Sequence, residues 1–429
     1  MLGIATCIAI DSGTTSGGGG DRGGGGDGPQ GFRSTWETSN ISTGSSAADT
    51  ITLPLTASGT YDFVITWGDG NSETITSAAQ ATHTYASPGQ YDITVFGDIV
   101  DWSFNNTGDK LKILNVSNWG SFTTGASAHW FYGCANMECT ATDTLTQGST
   151  SMYQAFSGCS SLATIDVSGW DVADVTNMNE AFMSCSSVTT LDVSSWNTGV
   201  CTGMQRLFSG CSVVSALDVS SWNTSSATRM DYMFQDANAL TALDVSSWNT
   251  SSLLRCPWMF YGLNVSTLDV TNWDVDDVTD MEGMFFRSDI TSIDVSNWNT
   301  SNVTEMRQLF DECTLLTSIT WPSSGSLDTS SATDLRGFFC FTTALPSRAY
   351  ASMRHWDITQ ATGTGALSGI LTNTVNTLTF GEYNQILATW NAANTSNMTA
   401  DFALAVATRA GITNRDAMIS RGWTINDAT

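Results

Sequence analysis

Lysine is almost absent from this chain of 429 residues, in which Lys110 and Lys112 are the only two. Charged residues of both signs make up 13% of the sequence, and the acidic ones dominate, so that the formal net charge is −26. A protein that binds nucleic acid needs clustered lysine and arginine to neutralise phosphates, and no such basic stripe occurs. The composition therefore argues against nucleic-acid binding and favours a soluble, acidic, exposed surface.

Histidine is also scarce, and the three residues His83, His129 and His355 lie in different regions of the chain. None of them stands in a recurring constellation with cysteine or carboxylate, and neither a nucleophile elbow nor a phosphate-binding loop occurs. A lone histidine beside a tyrosine, such as His83, favours a structural role. We therefore predict that the protein is not an enzyme.

Long hydrophobic runs are missing as well. A membrane-spanning helix needs about 18 or more consecutive apolar residues, and the sequence has no such run. The first ten residues are apolar but lack the basic region of a secretory signal, and too few residues precede Cys7 for a lipoprotein signal. We expect no membrane span, and we expect a protein outside the cell to arrive by another route or within an assembled particle.

What the sequence has in abundance is repetition. Seven tryptophans recur at steps of 26, 26, 26, 25, 25 and 23 residues, and these are Trp170, Trp196, Trp222, Trp248, Trp273, Trp298 and Trp321. A fixed period of this length is typical of repeat proteins, whose units bury their apolar faces against one another. Inward rings would form a buried ladder, whereas outward rings would form a platform for sugars or an apolar partner. The polar neighbours Ser195 and Asn197 favour the inward orientation of Trp196.

Each repeat contains two blocks. In the first block Leu191 and Val193 alternate with Asp192, which predicts a strand with one buried face. In the second block Met178 and Phe182 are four residues apart, the spacing of one face of a helical turn. The repeated phenylalanines are expected in the core, and these are Phe156, Phe182, Phe208, Phe234, Phe260, Phe285 and Phe310. We predict a short strand, a Trp-Asn turn and a brief helix or 3₁₀ turn in each repeat, with successive strands pairing in parallel.

The cysteines, ten in all, mostly follow the same register. Cys159, Cys185 and Cys211 lie three residues after the repeat phenylalanine, where other repeats place Ala237 or Leu263. A residue that alternates with alanine and leucine acts as a small buried apolar group. We predict reduced core thiols, with a disulfide between neighbouring repeats as the alternative, and zinc is disfavoured because no paired short spacing of cysteines occurs.

One aspartate per repeat forms a row beside the apolar positions of the first block: Asp166, Asp192, Asp218, Asp244, Asp269 and Asp294. Bare carboxylates about 5 Å apart repel each other by roughly 0.8 kcal/mol per pair in water. Either hydrogen bonds from neighbouring serines and backbone amides offset the repulsion, or divalent cations such as Ca²⁺ bridge the row as a weak metal site. We predict no cofactor, with Ca²⁺ as the alternative.

Changes in composition divide the chain into five predicted segments. They are a glycine-rich tether at residues 1–30, a small antiparallel β domain at 31–97, degenerate capping repeats at 98–150, the regular repeats at 151–340, and a C-terminal cap at 341–429 with helices over 381–391 and 401–422. The Asp69-Gly70 pair predicts a hairpin turn in the second segment.

The repeat blocks, for example Leu191 to Thr198 with Val175 to Cys185, resemble the BspA-like family of leucine-rich-repeat surface proteins, which includes repeat lipoproteins of mycoplasmas and proteins of marine bacteria and their phages. Residues 31–97 resemble PKD-like, immunoglobulin-type modules. The resemblance implies a β-rich solenoid of leucine-rich-repeat type, with parallel strands and short helical turns, between an N-terminal β-sandwich and a small, partly helical cap.

The resemblance also implies a role in attachment and surface recognition, and it transfers no catalytic residues. We predict a non-enzymatic structural or adhesion protein on a virion surface, such as a phage fibre, knob, spike or decoration protein. The alternative is a bacterial cell-surface adhesin. Expected partners are virion or surface-layer proteins through the N-terminal region and a host glycan or surface protein, and the sequence leaves a homo-oligomer open.

Overall fold

A computed structural model describes residues 31–146, 148–361, 365–371, 378, 380–393, 398–402 and 413–427. The predicted tether at residues 1–30 lies outside the described residues. The strands are β1 (Phe32–Glu37), β2 (Thr50–Thr52), β3 (Leu55–Thr66), β4 (Ser72–Ile75), β5 (Thr82–Thr84), β6 (Gln90–Trp102), β7 (Ile113–Asn118), β8 (Phe122–Thr123), β9 (Glu138–Cys139), β10 (Ser292–Asp294), β11 (Ser318–Thr320), β12 (Thr399–Phe402) and β13 (Thr424–Asp427). The α-helices are α1 (Ser347–Tyr350), α2 (Phe380–Ala392) and α3 (Thr413–Ser420), and short 3₁₀ helices occupy Ala78–Gln80 and Ala351–His355.

The largest sheet has seven strands in the order β4-β3-β6-β1-β7-β9, with β8 paired to β6. The pairs that involve β1, β3 and β4 are antiparallel. The pairs β6-β8 and β7-β9 are parallel. The sheet is therefore mixed, and it joins the N-terminal strands to the first repeats.

Alternating side chains explain the central strands of this sheet. In β3, Tyr61, Phe63 and Ile65 are buried while the residues between them are at least partly exposed, as expected of a strand with one face on the core. The predicted hairpin is confirmed, because β3 and β4 pair antiparallel around a turn in which the Asn71 amide donates to Asp69 Oδ1 at 2.9 Å.

Strand β6 continues through residue 97, where the sequence predicted a domain boundary, and ends at Trp102. The Trp102 ring packs edge-on against Phe32 and Phe122, with ring centroids 5.5 and 5.6 Å apart. Phe122 lies in the segment predicted to hold the capping repeats. One aromatic cluster thus connects the N-terminal strands to the repeats.

One of the two lysines, Lys112, is fully buried against the loop that precedes β2. The Lys112 ammonium donates to the Ala47 and Thr50 carbonyl oxygens at 2.8 and 2.7 Å, and it lies 3.4 Å from Asp109 Oδ1. Asp109 in turn accepts from the Ser46 and Thr52 amides at 2.7 Å each. A buried charge is tolerated only when it is paired and hydrogen-bonded, so this pair fixes the loop before β2.

In the regular repeats, most of the chain forms turns. Isolated parallel bridges connect neighbouring repeats, and the longest series runs Ser151–Asn177–Gly203–Arg229–Arg255–Asp280–Glu305–Asp334. Further bridges join Thr164 to Thr190 and Thr267 to Ser292. Backbone hydrogen bonds between the same repeats accompany them, such as the Thr202 amide donating to the Thr176 carbonyl at 2.9 Å. The described part of this segment contains one strand pair, β10 with β11, which is parallel.

Left-handed backbone interrupts the second block of every repeat. The residue two places before the repeat phenylalanine has φ between 51° and 64° in nine repeats, namely His129, Gln154, Glu180, Arg206, Tyr232, Trp258, Gly283, Gln308 and Gly337. This conformation costs a residue with a Cβ roughly 1–2 kcal/mol. A right-handed helical turn cannot pass through such a residue, so the block is a chain of turns.

The predicted fold class is therefore wrong. The extended structure is concentrated in one large mixed sheet instead of a solenoid of parallel strands, and the repeats contain bridges and turns where strands and helical turns were expected. The predicted N-terminal β-sandwich is also not found, since β1, β3 and β6 share one sheet with β7 and β9, and β2 pairs only with β5. The sheet extends into the first repeats because β1 pairs with β6 along one edge and with β7 along the other. The repeats do not form long strands because left-handed residues and Trp-Asn turns end each extended stretch within a few residues.

The C-terminal region packs two helices beside a two-stranded parallel sheet of β12 and β13. Helix α2 lies against the 3₁₀ helix Ala351–His355 and against α3. The predicted helix over 381–391 is confirmed as α2. The one predicted over 401–422 falls partly outside the described residues, and its described part contains the end of β12, α3 and the turn that precedes β13.

Candidate functional site

The interior of the repeats is built from aromatic ladders. The indole rings of Trp170, Trp196, Trp222, Trp248 and Trp273 stack with centroids 6.1 to 6.5 Å apart and planes within 12° of parallel. Trp298 is buried at the end of this ladder against Phe285, at 6.4 Å. The ring nitrogens from Trp196 onward donate to a valine carbonyl of the preceding repeat, as Trp222 does to Val193 at 3.0 Å. These six tryptophans are therefore interior and not available as an outer platform, while Trp321 is only partly buried.

A second ladder is formed by the repeated phenylalanines. The rings of Phe156, Phe182, Phe208, Phe234, Phe260, Phe285 and Phe310 stack at 5.4 to 6.2 Å, and every one of them is fully buried. Each such pair contributes about 0.5–1.5 kcal/mol beyond the burial of its area. The two ladders hold the repeats in a constant register.

The cysteines of the repeats are buried thiols. Cys159, Cys185 and Cys211 each donate to a phenylalanine carbonyl of the preceding repeat, at 3.1 to 3.2 Å. Burial raises the pKa of these thiols, to about 12 for Cys211. A thiol with a raised pKa and no access to solvent is chemically inert at neutral pH.

The six aspartates predicted as a row, which we name the acid row, are Asp166, Asp192, Asp218, Asp244, Asp269 and Asp294. Each Oδ1 accepts from the amide two residues later, at 2.9 to 3.2 Å. In all but Asp294 the hydroxyl of that same serine or threonine donates as well, at 2.6 to 2.7 Å. These bonds hold the pKa of Asp166 and Asp244 below the ordinary value. These local hydrogen bonds stabilise the ionised carboxylates and so offset the repulsion between neighbouring aspartates.

Two grooves run along the acid row. The larger has a volume of about 510 Å³ and is lined by Asp244, Asp269 and Asp294 together with hydroxyl side chains such as Thr271 and Thr320. The smaller, of about 350 Å³, is lined by residues of the same row and by neighbouring threonines, including Asp166, Asp192, Thr164 and Thr190. Both grooves present carboxylate acceptors and hydroxyl donors side by side.

The structure brings the six carboxylates into one row but not into a compact cluster. Among the described residues, no group of three or more histidine, cysteine, aspartate or glutamate side chains has the geometry to hold a metal ion. Ca²⁺ bridging of the acid row stays the untested alternative to hydrogen bonding. No helix in the described parts of the chain is long and apolar enough to cross a membrane.

The histidines are held by neighbours outside the acid row. His83 Nε2 lies 2.9 Å from Asp69 Oδ2, and its ring stacks on Trp67 with centroids 4.8 Å apart. His129 packs against Tyr153 at 5.1 Å, and burial lowers its pKa. The described lining of the two acid-row grooves contains no histidine.

A second charged surface was missed by the sequence analysis, which treated the arginines as scattered. All six arginines of residues 151–340 lie in the second block of their repeats, and these are Arg206, Arg229, Arg255, Arg287, Arg307 and Arg336. We call the surface formed by these blocks the turn face. Its ion pairs include Arg229 with Asp231 at 2.8 Å and Arg255 with Asp280 at 2.7 Å. Alignment of the repeats on their phenylalanines would have found this clustering.

A family model described as "Mycoplasma protein of unknown function, DUF285" matches residues 150–267, 254–376 and 291–417. These matches together run from the start of the regular repeats into the C-terminal region and include more than half of the chain. The match confirms the predicted resemblance to a mycoplasma protein family. It does not confirm the leucine-rich-repeat assignment or the PKD-like assignment. No curated protein and no solved structure matches the chain.

Proposed function

We propose that this chain, which belongs to the DUF285 family of mycoplasma-type proteins of unknown function, is a non-enzymatic protein of an exposed surface that recognises neutral glycans along its acid row. The observation that carries the proposal is the pair of grooves lined by aspartates and hydroxyl side chains. A glycan offers many hydroxyl groups, each of which both donates and accepts hydrogen bonds. Carboxylate oxygens and threonine hydroxyls placed side by side are suitable partners for them.

The charge of the protein limits which glycans fit. With a net charge of −26 the molecule repels anionic ligands, and the acid row adds a local negative potential. Neutral sugars and amino sugars avoid this repulsion. We therefore expect sialylated or sulfated glycans to bind more weakly than their neutral counterparts.

The regularity of the acid row supports binding instead of catalysis. Each acid-row carboxylate accepts the same backbone hydrogen bond from repeat to repeat, and the described lining of the two grooves contains no histidine. An acid and a base for catalysis would need environments that push their pKa values apart. An even row of this kind presents a repeated contact surface.

Two locations are consistent with an exposed recognition protein. The family match favours the surface of a cell. The continuous sheet between the N-terminal strands and the first repeats favours a base that attaches the repeats to a larger assembly, such as a phage virion with the chain as a fibre, knob or decoration protein. In both locations the repeats face outward.

Labelling with an antibody against the repeats tests this location. The antibody is applied to intact cells of the producing culture and to purified particles from it, with lysed samples as the control. We expect labelling of intact cells or intact particles, and the sample that is labelled decides between the two locations. Labelling that appears only after lysis would contradict a surface role.

A further inference from the structure

We infer that the protein forms a symmetric dimer through a row of four charged residues on the turn face, Arg229, Arg255, Asp280 and Glu305. We call these four residues the charge row. The inference goes beyond the proposed function, because the acid-row grooves belong to the first block of each repeat and the charge row to the second.

The four members of the charge row are direct neighbours along the stack. Each is joined to the next by a parallel bridge, so they are spaced evenly at roughly 4.8 Å, the distance between paired strands. In chain order their charges are positive, positive, negative, negative. Gly203 and Asp334 hold the corresponding positions on either side.

This order of charges is self-complementary under a two-fold axis. A two-fold axis that lies in the plane of the surface, perpendicular to the row and midway between Arg255 and Asp280, places Arg255 opposite Asp280 of a second copy and Arg229 opposite its Glu305. Each of the two contacts occurs twice, once on either side of the axis, and all four join opposite charges. A contact in which residue i meets j and j meets i is the requirement for a two-fold homodimer.

Within one copy the charge row is only partly neutralised. Asp280 accepts from Arg255, but the described hydrogen bond to Glu305 comes from the Thr333 hydroxyl at 3.3 Å. Burial raises the pKa of Glu305, and the carboxylates of Asp334 and Asp280 raise it further. Among the described residues Glu305 has no direct ion pair, since the nearby Arg336 bonds to Asp334, and a guanidinium from a second copy would supply one.

Apolar side chains lie beside the centre of the charge row. In the repeat that contains Arg255, the preceding residue is Leu254, which is 45% exposed, whereas the preceding repeats place Thr202 and Thr228 at that position. Nearby, the half-buried rings of Tyr232 and Trp258 stack with centroids 6.4 Å apart. Aromatic, aliphatic and arginine side chains at the centre of a surface are typical of protein interfaces.

The same rings are poorly placed to bind sugars. Arg206 covers one face of Tyr232 at 4.5 Å, and Trp258 covers the other. The second face of Trp258 lies against Gly283, where an added Cβ would approach the indole ring to 2.4 Å. Only ring edges remain for a partner, which favours a protein surface over a flat sugar.

Sedimentation equilibrium of the full chain tests the dimer. We expect the wild type to have twice the mass of 45.8 kDa. The variants Arg255→Glu and Asp280→Arg each place like charges opposite one another, so each should weaken association roughly a hundredfold. Mixing the two variants in equal amounts should restore the dimer, because the glutamate introduced at position 255 of one copy then faces the arginine introduced at position 280 of the other.

Arg33→Glu is the matched control, since Arg33 is exposed on β1 and its reversal changes the net charge by the same amount as Arg255→Glu. This control should dimerise as the wild type does. A monomeric wild type, or variants that associate like the wild type, would overturn the inference. So would a mixture that stays monomeric while both variants keep the wild-type melting temperature. None of these results affects the surface-labelling test of the proposed function.

Discussion

At the scale of the single residue, Trp222 shows how one side chain connects three repeats. Its indole stacks on Trp196 at 6.1 Å and on Trp248 at 6.4 Å, and its nitrogen donates to the Val193 carbonyl. We predict that Trp222→Ala lowers the free energy of unfolding by about 3–5 kcal/mol, through the cavity and the lost contacts.

Urea unfolding followed by circular dichroism measures this change. Val213→Ala is the control, because Val213 lies in the same repeats but is 42% exposed. Its free energy of unfolding should stay within about 0.5 kcal/mol of the wild type. A similar small effect for Trp222→Ala would contradict the role of the ladder.

Two glycines at the same left-handed position allow a matched comparison. Gly283 and Gly337 have φ of 55° and 62°, so alanine is strained at both. An added Cβ at Gly283 would meet the Trp258 ring at 2.4 Å, whereas at Gly337 the nearest atoms, Asp311 Oδ2 and Gln308 Cγ, both lie 3.1 Å away in side chains. We predict that Gly337→Ala costs about 1 kcal/mol and that Gly283→Ala costs about 1–3 kcal/mol more.

Thermal unfolding of the two variants provides the measurement. The ranking is the test, since both variants add the same methyl group to the same kind of backbone. Equal melting temperatures would mean that the indole of Trp258 is free to move aside. In that case the stacked arrangement of Tyr232 and Trp258 would not be rigid.

Asp311 is predicted to make stability depend on pH. Its side chain is buried and Oδ1 has no partner among the described residues. Burial raises the pKa of this carboxyl from 3.8 to about 6. The folded state therefore favours the protonated form, so the free energy of unfolding falls as pH rises between about 4 and 6 and is level above that range.

At neutral pH the free energy of unfolding is lower by at most about 3 kcal/mol than it would be with an unshifted Asp311 pKa. Unfolding of the wild type and of Asp311→Asn should be compared at about pH 4 and about pH 7, on either side of the window. We expect the advantage of the wild type over the variant to be largest at the acidic end. A difference between the two proteins that does not change with pH would refute the shift.

At the scale of the element, the acid row shows how a repeated turn manages repeated charge. Each Oδ1 is engaged by the turn of its own repeat, as Asp244 is by Ser246 at 2.7 Å. We therefore predict that EDTA and millimolar Ca²⁺ leave the melting temperature unchanged. A rise of several degrees with Ca²⁺ that EDTA reverses would instead establish cation bridging of the row.

The elements also show what could be predicted from the sequence. The Asp69-Gly70 hairpin and helix α2 depend on neighbouring residues, and both were predicted correctly. The second block was predicted as helical because Met178 and Phe182 have helical spacing. Glu180 between them is left-handed, and glutamate does not signal that conformation. Of the residues at this position, only Gly283 and Gly337 are of a type that indicates left-handed backbone.

At the scale of the whole molecule, the mixed sheet could not be predicted from the sequence. Pairing of β1 with β7 joins residues about 80 positions apart, and its register shifts twice within four pairs. The predicted boundary at residue 97 followed composition, whereas β6 runs through it to complete the contacts of Trp102. Long-range pairing of this kind leaves no local pattern.

The repeats and the sheet together suggest a division of roles. Ladders of tryptophan and phenylalanine fix the register, the acid row faces outward along its grooves, and the turn face holds a different set of charges. The interior accounts for the regularity of the sequence. The grooves carry the proposed recognition of a ligand.

A glycan array probed with the full chain tests this recognition most directly. The matched variant replaces Asp244, Asp269 and Asp294 with threonine, the residue that the next repeat already has at position 320. We predict that the wild type binds a subset of neutral glycans and that the triple variant binds them at least about tenfold more weakly, which corresponds to about 1.4 kcal/mol, with its fold intact by circular dichroism. Binding to no glycan, or equal binding by both proteins, would contradict the account.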